Sequence, residues 1–137
     1  MVIVEELPGV CTVGYDAQVR AVVMTWLKND DTAFRPMLEI QLRTIAEQHA
    51  ACVIVDTSQV RGVLNDANQD WLVTDFFPRL NTSGLKALIS VTPQSAIAAL
   101  VNRRSFREPV GLSFDIVECQ SLADARARAA GYATQRP

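Results

Sequence analysis

Residues Ala51 to Asp75 read ACVIVDTSQVRGVLNDANQDWLVTD, and the fold turns on how this stretch is parsed. An apolar run, Ala51-Cys52-Val53-Ile54-Val55, ends abruptly at Asp56-Thr57-Ser58. A run that is apolar at every position fits a strand buried on both faces of a parallel sheet. A polar loop follows. Asn65 or Asp66 then caps an amphipathic helix that buries Trp71, Leu72 and Phe76 along one stripe. Pro78 is expected to kink or end that helix, since proline removes a backbone donor and clashes with the preceding turn. A loop at the carboxyl end of such a strand, leading into a helix, is where open α/β sheets hold their functional groups.

Upstream, the spacing of Phe34, Leu38, Leu42, Ile45 and Ala46 predicts the longest helix, from about Asp31 to His49. Asp31 or Thr32 is its expected N-cap, and Pro36 is tolerable only near the first turn. Before it, the runs Val10 to Tyr15 and Val19 to Leu27 flank Asp16-Ala17-Gln18 as an antiparallel hairpin. Val2 to Glu5 offers a further short strand at the front.

Downstream, Gly84 closes the helical segment and Leu85 to Val91 forms the next strand. Thr92 to Ser95 starts a short helix that buries Ile97, Leu100 and Val101, and Asn102 to Gly111 is a loop. Leu112 to Cys119 reads as an edge strand. Ser121 caps a last helix with Asp124 at its third position, in the manner of a capping box. That helix is expected to stop near Gly131, with 131–137 a frayed tail. The order β-β-α-β-α-β-α-β-α describes a single α/β domain over 1–137, with a mixed sheet flanked by helices and its later strands parallel.

Composition narrows the function classes. A formal net charge of -2 gives no field for non-specific nucleic-acid binding. No window carries the roughly 18 apolar residues of a membrane helix, and MVIVEELPGV lacks the basic flank of a signal peptide, so the expected compartment is the cytoplasm. Cys11, Cys52 and Cys119 are odd in number, lack metal spacing and sit in or beside apolar runs, as free core cysteines do. No phosphate-binding glycine loop, CxxC pair, HExxH or GxSxG is present, so neither an enzyme nor a cofactor is expected.

Four groups of side chains remain as candidates. Asp56, Asp66 and Asp70 lie around the carboxyl end of the central strand, where paired carboxylates could bind a metal or run acid–base chemistry; turn and helix-dipole roles are the favoured reading, since they need no ligand to explain these residues. His49, the sole histidine, reads as a helix-end residue. Arg103, Arg104 and Arg107, joined by Arg61 if the loops meet, suit an anion, because guanidinium groups grip phosphate or carboxylate by two hydrogen bonds. Trp71, Phe76 and Phe77 suit an apolar pocket or an interface. Phe76 and Phe77 are adjacent on a helix and cannot both point into one core, so one of them is expected to face a partner.

The order of elements, with Val53-Ile54-Val55-Asp56, Gln69-Asp70-Trp71-Leu72, Phe77-Pro78-Arg79 and Gly84-Leu85-Lys86, resembles STAS-type domains, the fold of bacterial anti-sigma-factor antagonists. The closer likeness is to small stand-alone STAS-like bacterial proteins. The resemblance implies a regulatory, protein-binding domain with a phosphorylatable serine or threonine at the start of the helix after the central strand. The matching stretch here, Leu64-Asn65-Asp66-Ala67-Asn68, has no hydroxyl. Thr57 and Ser58 lie instead at the strand end. The expected protein is therefore a non-enzymatic interaction domain that pairs with itself or another protein. Its surface would be the loop Thr57 to Leu64 and the exposed side of the helix from Asn65. The alternative is a module for a small apolar or anionic ligand held between the helix aromatics and the Arg103–Arg107 loop.

Overall fold

The computed structural model describes residues 1–91 and 112–134. Six strands form one mixed sheet: β1 (Val2–Leu7), β2 (Cys11–Asp16), β3 (Ala21–Trp26), β4 (Cys52–Asp56), β5 (Ala87–Val91) and β6 (Asp115–Cys119). They lie side by side in chain order. β1, β2 and β3 pair antiparallel, and β3 to β6 pair parallel. The extra strand at the front is thus β1. The short helix expected after Thr92 and the loop carrying Arg103, Arg104 and Arg107 lie outside the described residues.

Alternation along the strands sorts the core into two layers. Val22, Met24, Val53, Val55 and Leu88 face α1 (Asp31–Gln48). Ala21, Val23, Cys52, Ile54 and Ile89 face the last helix, α4 (Leu122–Ala133), through its Ala125 and Ala129. β4 is buried on both faces, which accounts for its unbroken apolar sequence. α4 is capped by the Ser121 hydroxyl, which accepts from the Asp124 N–H at 3.1 Å. It continues past Gly131, the expected stop, to Ala133.

The N-cap of α1 is Asp30, whose carboxylate accepts from the N–H groups of Thr32 and Ala33 at 3.0 Å. Neither Asp31 nor Thr32 fills that role, because Asp31 is committed to the loop after β4 (below). The buried stripe of α1 also differs from the apolar one. Ala33, Phe34, Met37, Leu38, Gln41, Thr44 and Ile45 are inside, whereas Ala46 is exposed and Leu42 only half-buried. Thr44 is satisfied by donating to the Ile40 carbonyl at 2.8 Å.

The helical segment after β4 continues through Pro78. It runs as α2 (Asp66–Trp71), a π-helical turn (Leu72–Phe76) and α3 (Phe77–Asn81). In the wide turn the Phe77 N–H reaches back five residues to the Leu72 carbonyl. Pro78 then occupies the first turn of α3, where a missing N–H costs least. The same turn overturns the expectation for the phenylalanines. Phe76 and Phe77 are both buried, at 2% and 4% exposure, and neither faces a partner. The inserted π turn departs from α-helical spacing, and the segment lies in a trough with aromatic walls on both sides. Phe76 meets Trp71 at 5.8 Å between ring centroids, and Phe77 meets Phe114 at 6.4 Å. Phe76→Ala or Phe77→Ala is expected to destabilise the monomer by about 3–5 kcal/mol, as large-to-small core substitutions do, measured by urea unfolding.

Burial pushes the thiols of Cys11 and Cys52 up to about 12 from an ordinary 9.0; for Cys52 the Lys86 and Arg20 charges partly oppose it. The unfolded chain releases these protons near the ordinary value while the native chain holds them. Their contribution is therefore complete below pH 9 and is lost as pH rises towards 12. The melting temperature is expected to fall across that window, and less steeply in the double variant Cys11→Ala, Cys52→Ala. The slope left in that variant belongs to groups such as Tyr132, raised to about 12 chiefly by donating its hydroxyl to Asp115.

Candidate functional site

The parallel pairing of β3 with β4 does not stop at the strand ends. Past Asp56 the chain swings outward and returns alongside the segment after β3. There the Asn29 N–H donates to the Arg61 carbonyl at 2.8 Å and the Arg61 N–H to the Leu27 carbonyl at 3.1 Å. The Asn29 side chain donates to the Gly62 carbonyl at 2.9 Å. Gly62 has φ +82, a conformation that side chains resist, which accounts for glycine at the return. On the opposite flank the Thr57 N–H donates to the Val91 carbonyl at the end of β5, 3.2 Å away.

The far end of the loop is fixed by a polar lock on α1 and α2. Asp31 accepts from the Asn65 N–H at 2.8 Å and from the Asn68 amide at 3.0 Å. The Asn68 amide also donates to the Asp31 carbonyl at 3.0 Å, and its oxygen accepts from Arg35 Nε at 2.9 Å. Asn65 caps α2 by accepting from the Asn68 N–H at 2.8 Å. Arg35 in turn lies over the Trp71 ring, 5.3 Å from its centroid. Asn68 is 4% exposed with both ends of its amide engaged, so it fixes the helix start to α1.

What this frame presents outward is a mixed surface. Ser58, Gln59, Arg61, Val63, Asn65 and Asp66 are exposed, and Val63 is 80% exposed at the crest. The exposed valine stands on backbone held at both ends and in the middle, so little ordering entropy would oppose a contact made there.

The other candidates separate. Asp56 is used locally, accepting from the Ser58 N–H at 3.0 Å and the Ser58 hydroxyl at 2.7 Å. Asp66 sits in the first turn of α2, where the helix dipole favours an acid. Among the described residues no cluster of three or more Asp, Glu, His or Cys side chains is placed to hold a metal ion. His49 caps the C-terminus of α1 with φ 51, before β4 begins, whereas Asp56 ends β4. At about 3.3 Å per residue the length of the strand keeps these two apart, which removes the shared cleft that acid–base chemistry would need. Arg61 stands on the loop itself. Trp71 is half-buried beneath Arg35, while Phe76 and Phe77 belong to the core.

Sequence reasoning missed Asn29, Asp31, Arg35 and Asn68. Asp31 was open to a capping role, and nothing in the spacing indicates which of two adjacent aspartates caps and which locks. The crest residue Val63 carries no sequence signal either. A comparison with protein-family models finds no match, and a comparison with curated proteins finds none either.

Asp31→Ala is expected to free the Asn65 N–H and the Asn68 amide together. It should cost about 1–3 kcal/mol, the range for leaving buried partners unsatisfied. Amide hydrogen exchange should accelerate across residues 60–68 while β4 and β5 remain protected. Uniform acceleration through the whole sheet would instead show that the lock is needed for global stability.

Proposed function

We propose that this chain is a non-enzymatic interaction domain of the STAS-like kind, without the hydroxyl switch at the helix start. It engages partners through the rigid loop Asp56 to Asn65. The observation that carries this reading is the exposed Val63 on a backbone held by Asn29, Asp31 and Asn68. The dispersal of Asp56, Asp66 and His49 supports a binding role over a catalytic one.

Self-association is supported by a second surface. β1 is exposed along all six residues, with Val2 at 70%, Ile3 at 51% and Leu7 at 40%. Among the described residues it is an end strand of the sheet, with no strand paired to its outer N–H and C=O groups. Such an edge pairs readily with another strand, and its own two-fold copy meets it antiparallel. A register shift between Ile3 and Glu5 and the charges of Glu5 and Glu6 restrict which strands fit.

Sedimentation of the wild type, Ile3→Lys and Val63→Asp at micromolar concentration tests both surfaces. A wild-type dimer that only Ile3→Lys dissociates would assign self-association to β1 and leave the loop for a different protein. A dimer lost only in Val63→Asp would assign it to the loop. A wild type that is monomeric at every concentration overturns the self-association reading.

A further inference from the structure

One buried group has no role in the frame described so far. Gln41 lies midway along α1, on the stripe that faces the sheet, and is 1% exposed. Among the described residues, neither its amide nitrogen nor its amide oxygen has a hydrogen-bond partner. Burying both ends of a carboxamide without partners is costly, and native cores rarely do so without a reason. Thr44 and Asn68, the other buried polar side chains of this helical layer, are both satisfied. Gln41 lines a cavity of about 20 Å³ among Trp26, Phe34, Leu72, Phe76 and Phe77. Val55 and Leu88 form its floor on the sheet.

The wall opposite Gln41 is unusual. Leu72 and Phe76 bound the π-helical turn, a feature that is rare in helices and often found at functional sites. Outside that wall stands Trp71, half-buried between Phe34 and Phe76, with ring centroids 6.1 and 5.8 Å away. The Arg35 guanidinium lies above it, 5.3 Å from the ring centroid. Trp71 does not itself line the cavity, and a rotation of its indole would leave the backbone bonds of the wall intact.

We propose that this cavity is the closed form of a binding site for a small neutral ligand. Such a ligand has a planar aromatic or short aliphatic body and a carboxamide-like head. The head is dictated by Gln41, because a second carboxamide gives one donor and one acceptor to the two atoms that lack them. The body is dictated by the aromatic and aliphatic lining. Among the described residues no charged side chain lines the cavity, so an ion would enter without compensation from them. This site goes beyond the interaction surface and is independent of it: the loop lock uses Asp31, Arg35 and Asn68, and none of them lines the cavity.

The test uses benzamide as probe and toluene, which has the same ring and no head, as control, with the intact chain. Binding is followed by thermal stabilisation and tryptophan fluorescence. Benzamide is expected to raise the melting temperature of the wild type in a saturable manner and to perturb Trp26 and Trp71. In Gln41→Met, which keeps length and removes both polar atoms, affinity for benzamide should fall about tenfold or more, the cost of unmaking buried hydrogen bonds. Affinity for toluene should not fall. A wild type that benzamide neither stabilises nor perturbs overturns the proposal, whatever Gln41→Met does to stability. Equal benzamide affinity in the two proteins overturns it as well. Should Gln41→Met fail to fold, Val55→Leu fills the cavity from the sheet. Loss of benzamide binding in that variant supports the site, and retained binding places the probe elsewhere and overturns it.

Discussion

The parallel pairing of β3 with β4, from Ala21 opposite Cys52 to Thr25 opposite Asp56, is the constraint on which the rest depends. α1 is the connection between these two strands, so their register fixes where α1 crosses the sheet and which of its residues face inward. The pairing is fastened at both ends. At the amino end the Arg20 carbonyl accepts from the Ala51 and Cys52 N–H groups, at 2.8 and 3.3 Å. The Arg20 guanidinium meanwhile donates to the His49 carbonyl at 2.8 Å and the Ala133 carbonyl at 3.4 Å, joining the C-termini of α1 and α4. A cation there meets the negative ends of two helices. Arg20 does this with φ 51, a left-handed backbone that a non-glycine residue resists, so tertiary bonds hold the turn in place.

At the carboxyl end the same pairing becomes the frame of the loop after β4. Leu27, Asn29 and Asp31 follow β3 directly, and each makes a bond to the loop after β4. The loop therefore inherits the rigidity of the sheet, although residues 57–65 contain no regular structure. On the other face, Asp16 at the end of β2 accepts from Arg126 of α4 at 2.8 Å, so the hairpin is tied to the last helix as well. Asp16 is buried and Arg126 half-exposed, which makes this pair a register-setting contact first and a source of stability second.

Local physics made much of this legible. The hairpin follows from two β-rich runs around a turn, and β4 from an apolar run too short for a helix. α1 follows from 3.6-residue spacing. Asn65 and Ser121 both cap the helices that their side-chain chemistry suggests. The extent of the helical segment at Pro78 was not legible, because a proline that breaks an α-helix is accommodated once a π turn precedes it. Nor was the burial of both phenylalanines, since Phe77 packs on Phe114, well beyond the window of roughly 11–18 residues over which side-chain period is read. Among the apolar residues of this segment, Phe76 and Phe77 proved to be core and Val63 the exposed group.

By itself the sequence determined the fold class, the strand-helix alternation and the residues that punctuate it. These are short-range matters of side-chain period, capping and backbone freedom. Only the tertiary structure decided the partnerships: that Asp30 caps while Asp31 locks a loop, that β1 is left uncovered, and that Gln41 is sealed among aromatic rings. Each depends on which groups meet across the sheet after folding. A polar residue on a helix reads as exposed until packing shows what stands against it.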